Sequence, residues 1–164
     1  MKNYLRALFI FVLLCIFTVP CAQAREPALE SRDIAPDFKL QDLNQGTFSL
    51  SSYKDKQAVI LFFWTTWCPF CRDELRMLRD TYPELVKEGW ELFAVNVGES
   101  TYKVEKFVKE KALDFAVLLD KDTTVAYSYG ILGVPTYIIV DKQGLIVFKD
   151  NYFPKGRYKE LVPE

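Results

Sequence analysis

Histidine is absent from all 164 residues, and that single absence removes several kinds of chemistry. A cysteine hydrolase needs an imidazole base beside its thiol, and covalent haem attachment needs histidine directly after the second cysteine of a C-x-x-C pair, where this chain has Arg72. A structural zinc site normally takes four Cys or His ligands, and cysteine is scarce too: only Cys15, Cys21, Cys68 and Cys71. A disulfide framework that staples distant segments is excluded as well, because the two cysteines beyond the N-terminal region lie three positions apart. No excess of one charge exists, with 21 basic and 22 acidic residues spread evenly along the chain. Phosphate backbones demand a basic surface, so nucleic acid is not an expected partner. The length leaves room for one globular domain with an ordinary core.

What is present begins with an address. Lys2 and Arg6 precede an apolar stretch from Ala7 to Val19, followed by Pro20 and Ala22-Gln23-Ala24. A basic start, a short apolar run and small residues at 22 and 24 predict a signal peptide over residues 1–24, cut before Arg25. The run is 13 residues long, short of the ~20 that a spanning helix needs. Left uncut, the same segment would serve as a membrane anchor. Lipidation at Cys21 is a third route, disfavoured by Pro20 in the preceding position. Cleavage would leave 19 basic against 22 acidic residues and remove Cys15 and Cys21. Residues 25–34 then read as a linker and 35–164 as the domain, exported to the periplasm or the outer face of the cytoplasmic membrane.

Period-two alternation over Asp37–Leu40 and Thr47–Leu50, around Asn44-Gln45-Gly46, predicts a β-hairpin. Ala58–Trp64 is a continuous apolar run rich in β-formers, the pattern of a strand buried on both faces and therefore central. From Pro69 to Glu88 the period becomes helical, with Leu75, Leu78, Tyr82, Leu85 and Val86 on one stripe, Gly89 as a stop and Pro83 as a kink. Strands over 91–97 and 115–119 alternate with helices over 101–111 and 123–129, and a final hairpin pairs 136–140 with 145–149 before a short helix near 155–161. The class is α/β, a central mixed sheet flanked by helices.

Trp67-Cys68-Pro69-Phe70-Cys71 falls at the junction of the buried strand and the first helix. Proline suits the first helical position, where its missing N–H has no partner to lose. Cys68 then faces the positive end of the helix, which stabilises a thiolate and lowers the pKa from the ~8.5 of free cysteine. Cys71 lies one turn further in. Cys68 is expected to attack or be attacked, and Cys71 to resolve the mixed disulfide. The pair would be a redox-active disulfide needing no cofactor and no metal, with an inert structural disulfide as the competing reading.

Glu74 sits where helical spacing gives it Phe70, Cys71, Met77 and Leu78 as neighbours, none of them basic. Two readings stand. Burial beside Cys71 would raise its pKa toward that of a working proton donor and acceptor; alternatively it is an acid favoured by the helix dipole, its head in solvent. Pro135, in Gly133-Val134-Pro135-Thr136, enters a strand either as a rigid turn or through a cis bond.

Phe63-Trp64-Thr65-Thr66-Trp67-Cys68-Pro69-Phe70-Cys71, together with Ala94–Ser100 and Gly133–Thr136, resembles the TlpA/ResA branch of thioredoxin-like proteins, a group related to AhpC/TSA and Redoxin domains. The resemblance covers roughly 35–149 and implies a thioredoxin-like fold with an N-terminal hairpin and a strand-helix insertion within 91–119. It also implies that Pro135 is cis and faces the cysteines, that Val134 offers backbone hydrogen bonds to a client polypeptide, and that Glu74 matches the family's active-site glutamate. Trp67, Val134 and Pro135 are accordingly the expected client-binding residues. The implied task is reduction of disulfides outside the cytoplasmic membrane, often those of apocytochrome c, with electrons from a membrane thiol donor. The pattern departs at Pro69-Phe70, where ResA-like proteins commonly have Glu-Pro; this dipeptide helps set the potential, so a disulfide oxidase of the same fold stays open. A thiol peroxidase would want proline at Leu61 in Pro-x-x-x-Thr-x-x-Cys, although Thr65 fits. A non-catalytic peptide-binding module has no need of Cys68, Cys71 and Pro135 together.

Overall fold

The structure is a computed structural model that describes residues 33–162. Residues 1–24, expected as a signal peptide, and most of the linker expected over 25–34 lie outside the described residues. Two strands, β1 (Lys39–Gln41) and β2 (Thr47–Ser49), pair antiparallel as a separate hairpin. Its turn is closed by the Asp42 carboxylate, which accepts from the backbone N–H groups of Asn44 at 2.9 Å and Gly46 at 2.6 Å. A 3-10 turn, Leu50–Tyr53, follows; one turn is too short to leave a helical period in the residues.

The main sheet contains β3 (Val59–Trp64), β4 (Glu91–Val97), β5 (Ala116–Asp120), β6 (Thr136–Val140) and β7 (Ile146–Asp150) in the order β5-β4-β3-β6-β7. β3 is central, parallel to β4 and antiparallel to β6. Every residue of β3 is buried because both faces are covered. Ile60, Phe62 and Trp64 pack on one side with Leu75, Leu78 and Leu85 of α1 (Pro69–Lys87) and Val104 of α2 (Thr101–Lys111). Val59, Leu61 and Phe63 pack on the other with Phe38, Leu50, and Val125 and Ala126 of α3 (Thr124–Ser128). Burying an aliphatic or aromatic side chain of this size is worth ~1.5–3 kcal/mol, so this strand anchors both layers.

The boundaries differ from the sequence reading by a residue or so: β5 and β7 each start one later than expected, and the last helix, α4 (Tyr158–Leu161), is shorter. α1 continues through Pro83 without interruption. Val86, expected on the apolar stripe, is half exposed. Phe153 and Tyr158 are buried against Tyr137 and Trp90, covering the end of the core, while Tyr152 stays in solvent.

Candidate functional site

β3 ends at Trp64, and after four intervening residues α1 begins at Pro69 with Cys68 as its N-cap. The cap is the sulfur itself: the Cys71 backbone N–H donates to Cys68 Sγ at 3.1 Å. A group that accepts a hydrogen bond in its charged form is stabilised in that form, and the positive helix end adds to this. Cys68 and Cys71 are joined in a disulfide, their Cα atoms 5.3 Å apart. Both are buried, Cys71 completely. Trp67, 63% exposed, and Phe70, 74% exposed, stand on either side of Cys68 as an apolar rim.

The Val134–Pro135 bond is cis, and the Val134 carbonyl lies 3.7 Å from Cys68 Sγ. In the disulfide that is a contact; a Cys68 thiol would donate to it. The segment is braced by Asn151, just past β7, whose Nδ2 donates to the Pro135 carbonyl at 2.6 Å, and by Thr136 at the start of β6, whose Oγ1 donates to the Gly133 carbonyl at 2.8 Å. Trp67, Cys68, Val134 and Pro135 thus belong to one surface, with Cys71 beneath it.

Glu74 is half buried one turn after Cys71. Its carboxylate accepts a 2.6 Å hydrogen bond from the Tyr137 hydroxyl, which reaches across from β6. Burial, reinforced by this bond, pushes the Tyr137 pKa far above its ordinary value, so the phenol remains a donor. Tyr137 carried no signal in the sequence beyond that of a strand residue.

Glu99 lies within the Ala94–Ser100 motif, and its role too appears only in the fold. Gly98 has φ +70°, and a Cβ there would meet Thr123 at 3.2 Å; this tight turn after β4 swings Glu99 back over the active-site turn. Its buried carboxylate accepts from the Thr66 N–H and Oγ1, each at 2.7 Å, from Asn96 Nδ2 at 2.8 Å and from Lys103 Nζ at 2.6 Å. Burial works to raise its pKa, but Lys103, Asn96 and Thr66 outweigh burial and hold the carboxyl below the usual range. The Thr66 carbonyl, on the opposite side of the same peptide chain, accepts from Arg72 Nε at 3.2 Å and Nη2 at 3.1 Å. The turn that presents Cys68 is therefore clamped from both directions. Among the described residues no group of three or more His, Cys, Asp or Glu is placed to hold a metal ion.

A five-stranded mixed sheet with helices on both faces, and a Cys-x-x-Cys disulfide at a strand-to-helix junction facing a cis-proline, define the thioredoxin-like fold class. The chain belongs to the AhpC/TSA family, whose profile matches residues 32–149. It is 40% identical over 112 residues to the thiol-disulfide oxidoreductase ResA of Geobacillus thermodenitrificans, an alignment that covers 68% of this chain and 64% of that protein. The ResA of Bacillus subtilis is 34% identical over 150 residues, 89% of this chain and 83% of the relative. Among solved structures, the thioredoxin domain of a thiol-disulfide oxidoreductase from Bacteroides vulgatus superposes with a TM-score of 0.67 at 31% identity, covering 75% of this chain and 89% of that one.

Proposed function

We propose that this chain is an exported thiol–disulfide oxidoreductase that reduces disulfides of envelope client polypeptides, apocytochrome c among the candidates, by cycling Cys68 and Cys71. The observation that carries the reading is the Cys71 N–H on Cys68 Sγ at the head of α1, which favours a thiolate at the more accessible sulfur. In the reduced protein the Cys68 thiolate attacks one sulfur of the client disulfide. That S–S bond breaks, a mixed disulfide forms, and the first client sulfur leaves as thiolate. Cys71, deprotonated, then attacks Cys68 Sγ and releases the second client thiolate. Two electrons have passed to the client, and the protein holds its own disulfide.

Glu74 is assigned the proton of Cys71 in this scheme: it is one helical turn away and oriented by Tyr137. Trp67 and Val134 are assigned to the client backbone and side chains, Pro135 to the wall opposite the sulfurs. A membrane thiol donor would restore the dithiol, and the apolar N-terminal segment would deliver or anchor the protein at the membrane surface. A peroxidase reading gains no support from Leu61, which is buried mid-strand and paired with Phe93 and Ile138; a proline there would remove a ladder hydrogen bond.

The test is the reduction potential of the purified protein in graded dithiothreitol buffers, followed by the fluorescence of Trp64 and Trp67. A value near or below ~−270 mV supports a reductase fed by a strongly reducing thiol donor. A value near ~−120 mV would make the protein a disulfide oxidase and overturn the direction proposed.

A further inference from the structure

The even distribution of charge along the sequence does not survive folding. Arg72, Arg76 and Arg79 recur at helical spacing on one face of α1. That face borders a recess of about 320 Å³ between α1 and α2, floored by Leu75, Phe107 and Leu113. Lys111, at the end of α2, closes the fourth side, its ammonium 5.9 Å above the Phe107 ring. Asp73, paired with Arg76 at 3.4 Å, is the one acid on the lining.

Two of the four cations are seated on backbone carbonyls. Arg72 is held on the Thr66 carbonyl, and Arg79 Nη1 donates to the Lys111 carbonyl at 3.3 Å while its Nη2 meets Asp80 at 3.0 Å. A guanidinium has five N–H donors, so each arginine keeps donors for a ligand. Pro69, the residue next to Cys68, is part of the lining, so the recess reaches the start of α1 beside the disulfide. With a helical rise of 1.5 Å per residue, Arg72 and Arg79 are about 10 Å apart along the axis, the span of about three residues of extended chain.

We infer that this groove receives an acidic stretch of polypeptide flanking the cysteines of the redox partner, so that charge steers the partner's disulfide to Cys68. The inference rests on the oxidoreductase reading. An acidic polypeptide suits the site better than a bilayer, because the cations line a recess with an apolar floor rather than a convex outer face. Complementary rim charges act chiefly on association, and their effect falls with ionic strength.

Three disulfide peptides differing only in the flank, Asp/Glu, Ser or Lys, distinguish the outcomes when reduced by the full chain. The acid-flanked peptide is expected to have a kcat/KM about tenfold above the serine one at ~20 mM salt, carried by KM, with the preference gone near 0.5 M. The double variant Arg76→Glu, Lys111→Glu is expected to invert the order while leaving kcat for the serine peptide unchanged. Binding of a labelled acid-flanked peptide with serines in place of its cysteines, read by anisotropy, needs no turnover and should be lost in the same variant. Equal kcat/KM for all flanks with no anisotropy change overturns the inference. So does retention of both preferences in the variant while its binding to phosphatidylglycerol vesicles disappears, since the groove would then serve the membrane. Peptide binding without reduction of any disulfide would instead sink the oxidoreductase reading and leave the groove standing.

Discussion

Replacing Glu99 with alanine isolates the clamp on the active-site turn. The substitution strands the Thr66 N–H, the Thr66 hydroxyl and the Asn96 amide, all buried, and releases Lys103, which is half exposed. Each buried donor left unpaired costs ~1–3 kcal/mol, but hydroxyl rotation and entry of water offset part of that sum, and breaking a buried charged pair typically costs ~3–5 kcal/mol in all. We expect a loss of about 4 kcal/mol, equivalent to a fall in Tm of about 8–16 °C for a domain of this size. Lys103→Ala should cost only ~1 kcal/mol, because its ammonium is half in solvent and the other donors remain on the carboxylate. Urea unfolding followed by far-UV circular dichroism gives both numbers from the shift in midpoint at constant slope. A Glu99→Ala loss below ~1 kcal/mol, or equal losses for the two variants, would refute the clamp as described. Because the folded-state pKa of Glu99 is depressed, its contribution is complete above the ordinary value of 4.5 and is lost as pH falls through the lowered value. Glu99→Gln should flatten that acid limb.

Cys68→Ser should abolish client reduction and leave the circular dichroism spectrum unchanged, whereas Cys71→Ser should accumulate a mixed disulfide visible by mass; turnover in Cys68→Ser would refute the assigned order of attack. Tyr137→Phe removes the hydroxyl that orients Glu74 and should lower kcat several-fold with KM unchanged in steady-state reduction of a model disulfide, at a stability cost of ~1 kcal/mol by urea titration. Tyr158→Ala should destabilise by ~3 kcal/mol through lost packing on Trp90 and Phe153, measured by the same titration, without altering the reduction potential.

The sequence was informative where one element settles the matter. The run Val59–Trp64 marks a strand covered on both faces because nothing polar interrupts it, and Pro69 marks the start of α1 because proline tolerates only that end of a helix. The cysteine pair could be placed at the junction for the same reason. What stayed hidden depends on two elements meeting. Glu99 gains its role because the turn after β4 lies against the turn after β3, and Glu74 gains Tyr137 because β6 is antiparallel to β3 at that height. The basic groove was invisible for a related reason: acids and bases alternate along α1, and only the winding of the helix gathers Arg72, Arg76 and Arg79 onto one side.

The sulfur cap on α1 links two quantities usually measured apart. Folding and reduction form a closed thermodynamic cycle, so the difference in folding free energy between dithiol and disulfide forms must equal the difference in reduction free energy between folded and unfolded chains. The Cys71 N–H stabilises the helix more when Cys68 is a thiolate than when its sulfur is shared in a disulfide. Substitutions that weaken both forms alike, such as those at Tyr158, leave the cycle balanced. Substitutions that disturb only the cap must change stability in one form and potential together, by the same amount, so comparing the two across a variant set would separate the residues that address the sulfur from those that merely hold the fold.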